Sequence, residues 1–458
     1  MASEESTGES RSLTRFRARW RVGDGVRDRA WWIGLCVIGL VALALRVALI
    51  AVPSQFTPRF DAADFETHAA YIATGHGYPP TGFASRGTPS AFRPPAYPYL
   101  LGSVYAITGI HPNVGRLLNA GLGVLTVLLI AYLGAALWDR RIGLVAGALA
   151  AVCPSLIALS GTLLSESLFL PLELGVALCV LAVPRSHRPI RIAILAGVLV
   201  GVAALTRTVG ILWLLPAVIA AATARADRVT RVKATLALLV ACVVVLVPWT
   251  VRNANALHAF VPLNTQGGFT LVGQYNRLSG REDNLQAVAR IPQQIPSLMR
   301  TLAPLYSRPD GVNEAELDST LTHDALTYIG HHPGQVPIAI GLDTLRMFNL
   351  GKNHQFTTSL AYTEMSLPPS LWSPTTITIQ LITLIAILAL LGRLTGRLHR
   401  RLGPFLVWAI PLLAVAATVP VVGTVRYRAP ADPFVILLAA LAIGELPRLI
   451  QREQPRAP

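Results

Sequence analysis

The sequence predicts an all-α fold, a polytopic transmembrane helix bundle of about ten spans with external juxtamembrane helices beside it. Three observations lead there. The chain of 458 residues is 53% hydrophobic and only 14% charged, and its mean hydropathy is +0.52, too apolar for a soluble domain. Its apolar residues fall into runs, several of them close to the length of about 20 residues that crosses a bilayer. The 39 Lys and Arg, against 24 Asp and Glu, form short clusters between those runs. Such spacing encodes membrane topology, and with no nucleic-acid motif present, no nucleic-acid partner is expected.

Residues 1–30 are polar and basic and lack a small-residue cleavage site, so they read as a cytoplasmic tail. The run WWIGLCVIGLVALALRVALIAV (31–52) is the first span and leads outward. Asp139-Arg140-Arg141, RSHRPIR (185–191) and RADRVTRVK (225–233) mark cytoplasmic turns. Between them lie spans near 113–137, 142–160, 163–183, 192–206 and 209–224, followed by 234–249. The remaining spans are near 374–391, 404–422 and 430–446, and 451–458 is a second cytoplasmic tail. Parity excludes the shorter apolar stretches 96–109 and 336–351 as crossings, so both are expected in the outer interface. NEAELDSTLTHDALTYIGHH (313–332) reads as a surface helix. The transmembrane domain is thus 31–450, with external loops of about 53–112 and 250–373. Cys36, Cys153, Cys179 and Cys242 all fall in apolar runs and are expected as free thiols.

With the spans drawn, chemistry-bearing residues collect on the outer face. Asp61, Asp64, Glu66, His68, Arg86 and Arg93 lie in the first loop. Glu166, Arg207, Arg252, Arg426, Arg428 and Asp432 lie at helix mouths. An ionisable group at the hydrocarbon boundary is costly and marks a functional candidate, although any one of these could be a solvated loop charge. Carboxylates suit a general base. Arginine forks suit phosphate oxygens as leaving-group charge develops. A phosphate donor used outside the cell must arrive on a lipid, and a polyprenyl-phosphate sugar meets every requirement. Glu173, seven residues beyond Glu166 and about 10 Å deeper on the same helix face, either lines a cavity or is a structural carboxyl. Trp249 and Tyr427 read as interfacial anchors, and His331-His332 as part of a solvated turn.

The motifs DAADF (61–65), RPPAYP (93–98) and LSESLF (164–169), with PWTVRN (248–253) and RYRAPADP (426–433), resemble in order and sidedness the GT-C superfamily of polytopic glycosyltransferases. The branch they resemble most is that of the protein O-mannosyltransferases and aminoarabinose transferases. The resemblance implies that Asp61 is the catalytic acid residue, with Asp64 a rival because Ala62 and Phe65 depart from the family's usual residues. It implies that Glu166 is the second-loop acid and that Tyr97 belongs to the RPPAYP motif. It offers Arg93, Arg207, Arg252 and Arg426 to the donor phosphate, with Arg428, His68 and Glu173 as further binding candidates. Some GT-C enzymes bind a divalent metal, and the first-loop acids and histidines could do so; no cofactor or metal ligand is assigned.

The expected activity is transfer of a sugar from a polyprenyl-phosphate donor to a lipid, glycan or protein hydroxyl on the outer face of the cytoplasmic membrane, with inversion. The main alternative is a transporter or flippase, which would call for an inverted repeat and charges near the midplane. A lipid-linked glycan polymerase or ligase would call for a different motif order.

Overall fold

The computed structural model describes residues 25–51, 56–80, 88–278, 295–308, 311–350, 354–396 and 402–453, and among these every regular element is helical. Only helices or closed barrels satisfy the backbone of a long apolar run in lipid. The first is α1 (Gly25–Ala51), followed by α2 (Asp61–Ala73) and α3 (Ala96–Thr108). Next comes α4 (Pro112–Leu137), with proline in its first turn, where no N–H is needed. Asp139 caps α5 (Arg140–Val152) by accepting from the Ile142 amide, and α6 (Pro154–Ser160) continues α5 after a 57° bend. Then come α7 (Glu166–Ala182), α8 (Pro189–Ala204), α9 (Leu214–Ala222) and α10 (Arg228–Leu257). Five short helices follow: α11 (Gly267–Gln274), α12 (Pro296–Tyr306), α13 (Glu314–His331), α14 (Gln335–Met347) and α15 (His354–Glu364). The chain ends with α16 (Trp372–Leu394), α17 (Phe405–Thr418) and α18 (Asp432–Glu453).

This is a multi-pass helical membrane protein. Five helices among the described residues are long and apolar enough to cross a bilayer: Arg29–Ala51, Pro112–Leu137, Glu166–Arg185, Arg228–Leu257 and Pro369–Leu394. The bent pair α5–α6 is a sixth. The sequence reading counted about ten. The rest of that count corresponds to three shorter apolar segments, Pro189–Ala204, Thr208–Ala222 and Phe405–Thr418, and to α18, which carries Glu445 and Arg448. Outward-facing Leu236, Val240, Val243, Val247 and Val251 form a stripe along α10 at helical spacing, the face such a helix turns to lipid.

The helices expected at 96–109, 313–332 and 336–351 are α3, α13 and α14. The acid-rich stretch after the first span is helical too, as α2. Small residues bring α8 against α10. A Cβ at Gly197 would run into the Leu238 carbonyl, and one at Gly201 into Val245; glycines four apart are the usual means of close approach between membrane helices.

The bend between α5 and α6 sets the path into the site. Pro154 interrupts the helix and frees carbonyls from their intrahelical donors. Two buried arginines from other spans brace this break and the turn after it. Arg46 donates to Ala151 O and Leu156 O, both at 3.5 Å, and Arg116 donates from Nε to Gly161 O at 2.8 Å. The turn that delivers Glu166 to the head of α7 is therefore pinned from α1 and α4. α4 and α7 both begin at the end of the bundle that holds Glu166, and their far ends meet the basic clusters at 139–141 and 185–191. α10 runs the other way, starting in the basic stretch 225–233. The backbone bond from Arg225 N to Pro184 O, 3.1 Å, ties two of these clusters together.

Candidate active site

α2 opens on Asp61, just after Phe60, whose φ of 52° is unusual for an aromatic residue and costs on the order of 1–3 kcal/mol. Asp61 and Asp64 occupy the first turn, where the helix dipole favours negative charge. Three residues apart, they share one face. Arg93 spans both, with Nη2 at 2.6 Å from Asp61 Oδ1 and Nε at 2.6 Å from Asp64 Oδ2. Arg93 is anchored by the prolines after it, which start α3, and by the bond from Ala96 N to Leu205 O, 2.8 Å. That bond also fixes the Arg93 segment beside the turn that carries Arg207.

Arg426 lies in the short 3-10 helix Val425–Arg428, between α17 and α18. Its Nη1 is 2.6 Å from Asp61 Oδ2 and 3.1 Å from Glu364 Oε2, and its Nε is 2.6 Å from Glu166 Oε1. Arg207 reaches the same Glu166 oxygen with Nη1 at 2.8 Å, its guanidinium over the rings of Tyr427 and Phe169. Four carboxylates from α2, α7 and α15 thus interlock with three guanidiniums.

Burial would push the Asp61 carboxyl up, but the charges and hydrogen bonds of Arg93 and Arg426 outweigh it and hold it well below the usual carboxylate range. Glu364 goes the other way: burial, aided by the nearby Asp61 and Glu166, lifts it despite Arg426. Burial opposes charge on Arg93 and Arg426, but the surrounding carboxylates more than offset this and keep both firmly protonated.

A cavity of about 240 Å³ opens on this network. Asp61, Arg93, Arg207 and Arg426 form its charged wall, and Thr208, Asn264, Gln266 and Thr270 an uncharged polar wall. Val209, Ala417, Val421 and Val422 form an apolar side against α17.

Of the residues singled out from sequence, the structure brings together Asp61, Asp64, Glu166, Arg93, Arg207 and Arg426. His68 is adjacent: its Nδ1 lies 2.7 Å from the Asp64 carbonyl, and burial depresses its basicity. The others lie elsewhere. Tyr97 is fully buried behind Phe65, and its hydroxyl and the Asn119 amide bond to each other. Arg252 donates to Ser90 O and lies over Tyr78 and Trp249. Arg428 pairs with Asp432 at 2.7 Å and donates to Met347 O. Glu173 is fully buried inside the bundle, without a hydrogen-bond partner among the described residues. Arg86 lies outside the described residues.

The sequence reading missed Glu364. Its signal was a lone acid in the apolar and hydroxyl-bearing stretch HQFTTSLAYTE, just before the turn into α16. Both Asp61 oxygens are held by guanidiniums. Among the described residues no three His, Cys, Asp or Glu side chains converge to hold an ion.

Residues 92–251, roughly a third of the chain, match the family described as dolichyl-phosphate-mannose-protein mannosyltransferase. No curated protein sequence matches significantly. Among solved structures, the archaeal oligosaccharyltransferase AglB from Archaeoglobus fulgidus, in complex with an inhibitory peptide and a dolichol-phosphate, is similar at 14% identity. The match covers 95% of this chain and 53% of that one, with a TM-score of 0.52. ArnT from Cupriavidus metallidurans bound to undecaprenyl phosphate is similar at 16% identity over 93% of this chain and 82% of its own, with a TM-score of 0.39. The S. cerevisiae protein O-mannosyltransferase complex bound to the sugar donor is similar at 16% identity over 54% of this chain and 34% of its own, with a TM-score of 0.41. This chain spans about half the length of the archaeal structure. It shares the fold of the archaeal oligosaccharyltransferase, and its relationship to the mannosyltransferase family rests on residues 92–251.

Proposed function

From that relationship, we propose that this chain transfers a sugar from a polyprenyl-phosphate donor to an acceptor hydroxyl at the non-cytoplasmic membrane face. The observation that carries this reading is the shared grip of Arg426 on Asp61 and Glu166 at the wall of a cavity that also admits Arg93 and Arg207. The basic clusters at the far ends of α4 and α7 support the sidedness. The apolar side built by Val421 and Val422 suits the first units of an isoprenoid chain.

Asp61 accepts the proton of the acceptor hydroxyl as its oxygen attacks the anomeric carbon. The bond from that carbon to the phosphate oxygen breaks, and the polyprenyl phosphate leaves with its charge met by arginine. One displacement inverts the anomeric centre. Held by two guanidiniums, Asp61 is too weak a base. Phosphate oxygens that engage Arg93 and Arg426 would take over part of that attraction and restore basicity to Asp61. Donor binding therefore precedes acceptor activation.

The test is the purified protein in detergent with a radiolabelled polyprenyl-phosphate sugar. Transfer or slow hydrolysis by the wild type, lost in Asp61→Asn with an unchanged melting temperature, is the expected result. Accumulation in proteoliposomes without chemistry would replace this reading with that of a transporter.

A further inference from the structure

We propose that Asn264 and Gln266 form the sugar-reading subsite of this cavity, and that the subsite takes an uncharged sugar rather than an amino sugar. The inference rests on the glycosyltransferase reading and names the class of group transferred. These residues flank Thr265, which is locked in place. Its amide donates to Ala91 O at 3.1 Å, and its hydroxyl donates to Glu314 Oε2 at 2.8 Å. The same Glu314 oxygen accepts from Ala91 N at 2.8 Å, and Glu314 is 1% exposed. One buried carboxylate therefore registers the 264–266 loop against the segment that carries Arg93. On the other side, Thr208 donates to Asn264 Oδ1 at 3.0 Å, next to Arg207. The uncharged wall is thus fixed relative to both neighbouring arginines, as a recognition site requires.

The chemistry of this wall is that of a polyol's partner. With its Oδ1 held by Thr208, Asn264 keeps both Nδ2 hydrogens for a ligand. Gln266 has no side-chain partner among the described residues and offers both a donor and an acceptor. Thr270 spends its hydroxyl hydrogen on Gln266 O at 2.9 Å and presents lone pairs. Sugar hydroxyls both donate and accept, and this set answers both roles. An ammonium group would fare badly. Among the described residues Asp61 is the one carboxylate that lines the cavity, and it already binds two guanidiniums, so no free carboxylate is there to answer an ammonium. The cavity, of about 240 Å³, has room for a sugar ring.

The experiment compares synthetic polyprenyl phosphates bearing a neutral hexose, a neutral pentose or an aminopentose, together with sugar-free polyprenyl phosphate. The wild type, Asn264→Ala, Gln266→Ala and Asn264→Asp are each assayed for donor binding and turnover. We expect the wild type to favour a neutral sugar by at least about tenfold. Each alanine variant should raise the donor KM about three- to tenfold with little change in affinity for the sugar-free lipid. Asn264→Asp should shift selectivity toward the aminopentose. Preference of the wild type for the aminopentose, or alanine variants with unchanged selectivity, would overturn the subsite and leave the transferase reading standing. Failure of every lipid phosphate, sugar-free included, to bind would overturn both.

Discussion

Arg426 holds Asp61 by a contact of 2.6 Å, from Nη1 to Oδ2, across most of the length of the chain. The residue proposed as the base is therefore restrained before any substrate arrives. Its replacement tests chemistry more than folding, because Asp61→Asn keeps an oxygen for one of the two arginines. We expect turnover to fall by about 10²–10⁴, with Asp64→Asn costing less, measured as initial rates on the labelled donor. Equal losses in the two variants would point to the pair acting jointly.

Arg207 holds Glu166 through Nη1 and lines the cavity. Arg207→Ala should raise the KM for the donor by about ten- to hundredfold, the range for hydrogen bonds to a charged group, with a smaller change in kcat. Arg207→Lys should recover only part of the loss, because an ammonium cannot fork. A fall in kcat at constant KM would instead assign Arg207 to the transition state.

The site carboxyls make opposite contributions to the pH dependence of stability. The folded pKa of Asp61 is depressed, so its contribution is present above its unfolded value of about 4 and is lost progressively as pH falls below that. The folded pKa of Glu364 is raised, so its contribution declines as pH rises from its unfolded value, about 4.3, through its folded one. Glu364→Gln should remove that decline while leaving the acid limb intact, as read from melting temperatures between pH 3 and 7.

Asp343 in α14 provides a second pH test away from the site. It is fully buried, pairs with Arg346 at 3.0 Å and accepts from Gln274 at 3.0 Å. Burial outweighs both partners and lifts its pKa to about 7. The native protein then binds this proton more readily than the unfolded chain between pH 4 and 7, and stability falls as pH rises through that window. Melting temperatures at pH 5 and 8 should differ by roughly 2–4 °C more in the wild type than in Asp343→Asn.

Arg116→Leu should destabilise the protein by about 1–3 kcal/mol, because the Gly161 carbonyl loses its 2.8 Å donor in a buried setting. The turn before Glu166 then loosens, so the donor KM should rise even where the protein still folds. A lowered melting temperature with an unchanged KM would confine Arg116 to stability.

The helices were legible because hydrophobic run length fixes them, and the convergence of Asp61, Glu166 and Arg426 was legible because all three sit at span ends that parity sends to one face. Azimuth around a helix was not legible. Arg252 and Arg426 both stand beside apolar spans, yet one turns to Tyr78 and Trp249 and the other to the acids. Tyr97 looked like part of a binding motif, but its ring packs edge-on against Phe65, away from the cavity. Glu364 was passed over because a single glutamate at the end of a short helix is a weak signal. Its meaning comes only from Arg426, which packing sets beside it.

Every acid of the cluster is answered by a guanidinium, and no arginine at the cleft lacks a carboxylate partner. Small free anions, inorganic phosphate among them, gain little by displacing such well-matched pairs and should be poor competitors. A ligand that succeeds must bring additional adhesion of its own, and Val421 and Val422, in the turn after α17, are where a greasy tail would supply it. Discrimination against the abundant soluble phosphates then needs no gate, since the arginines they would seek are already engaged.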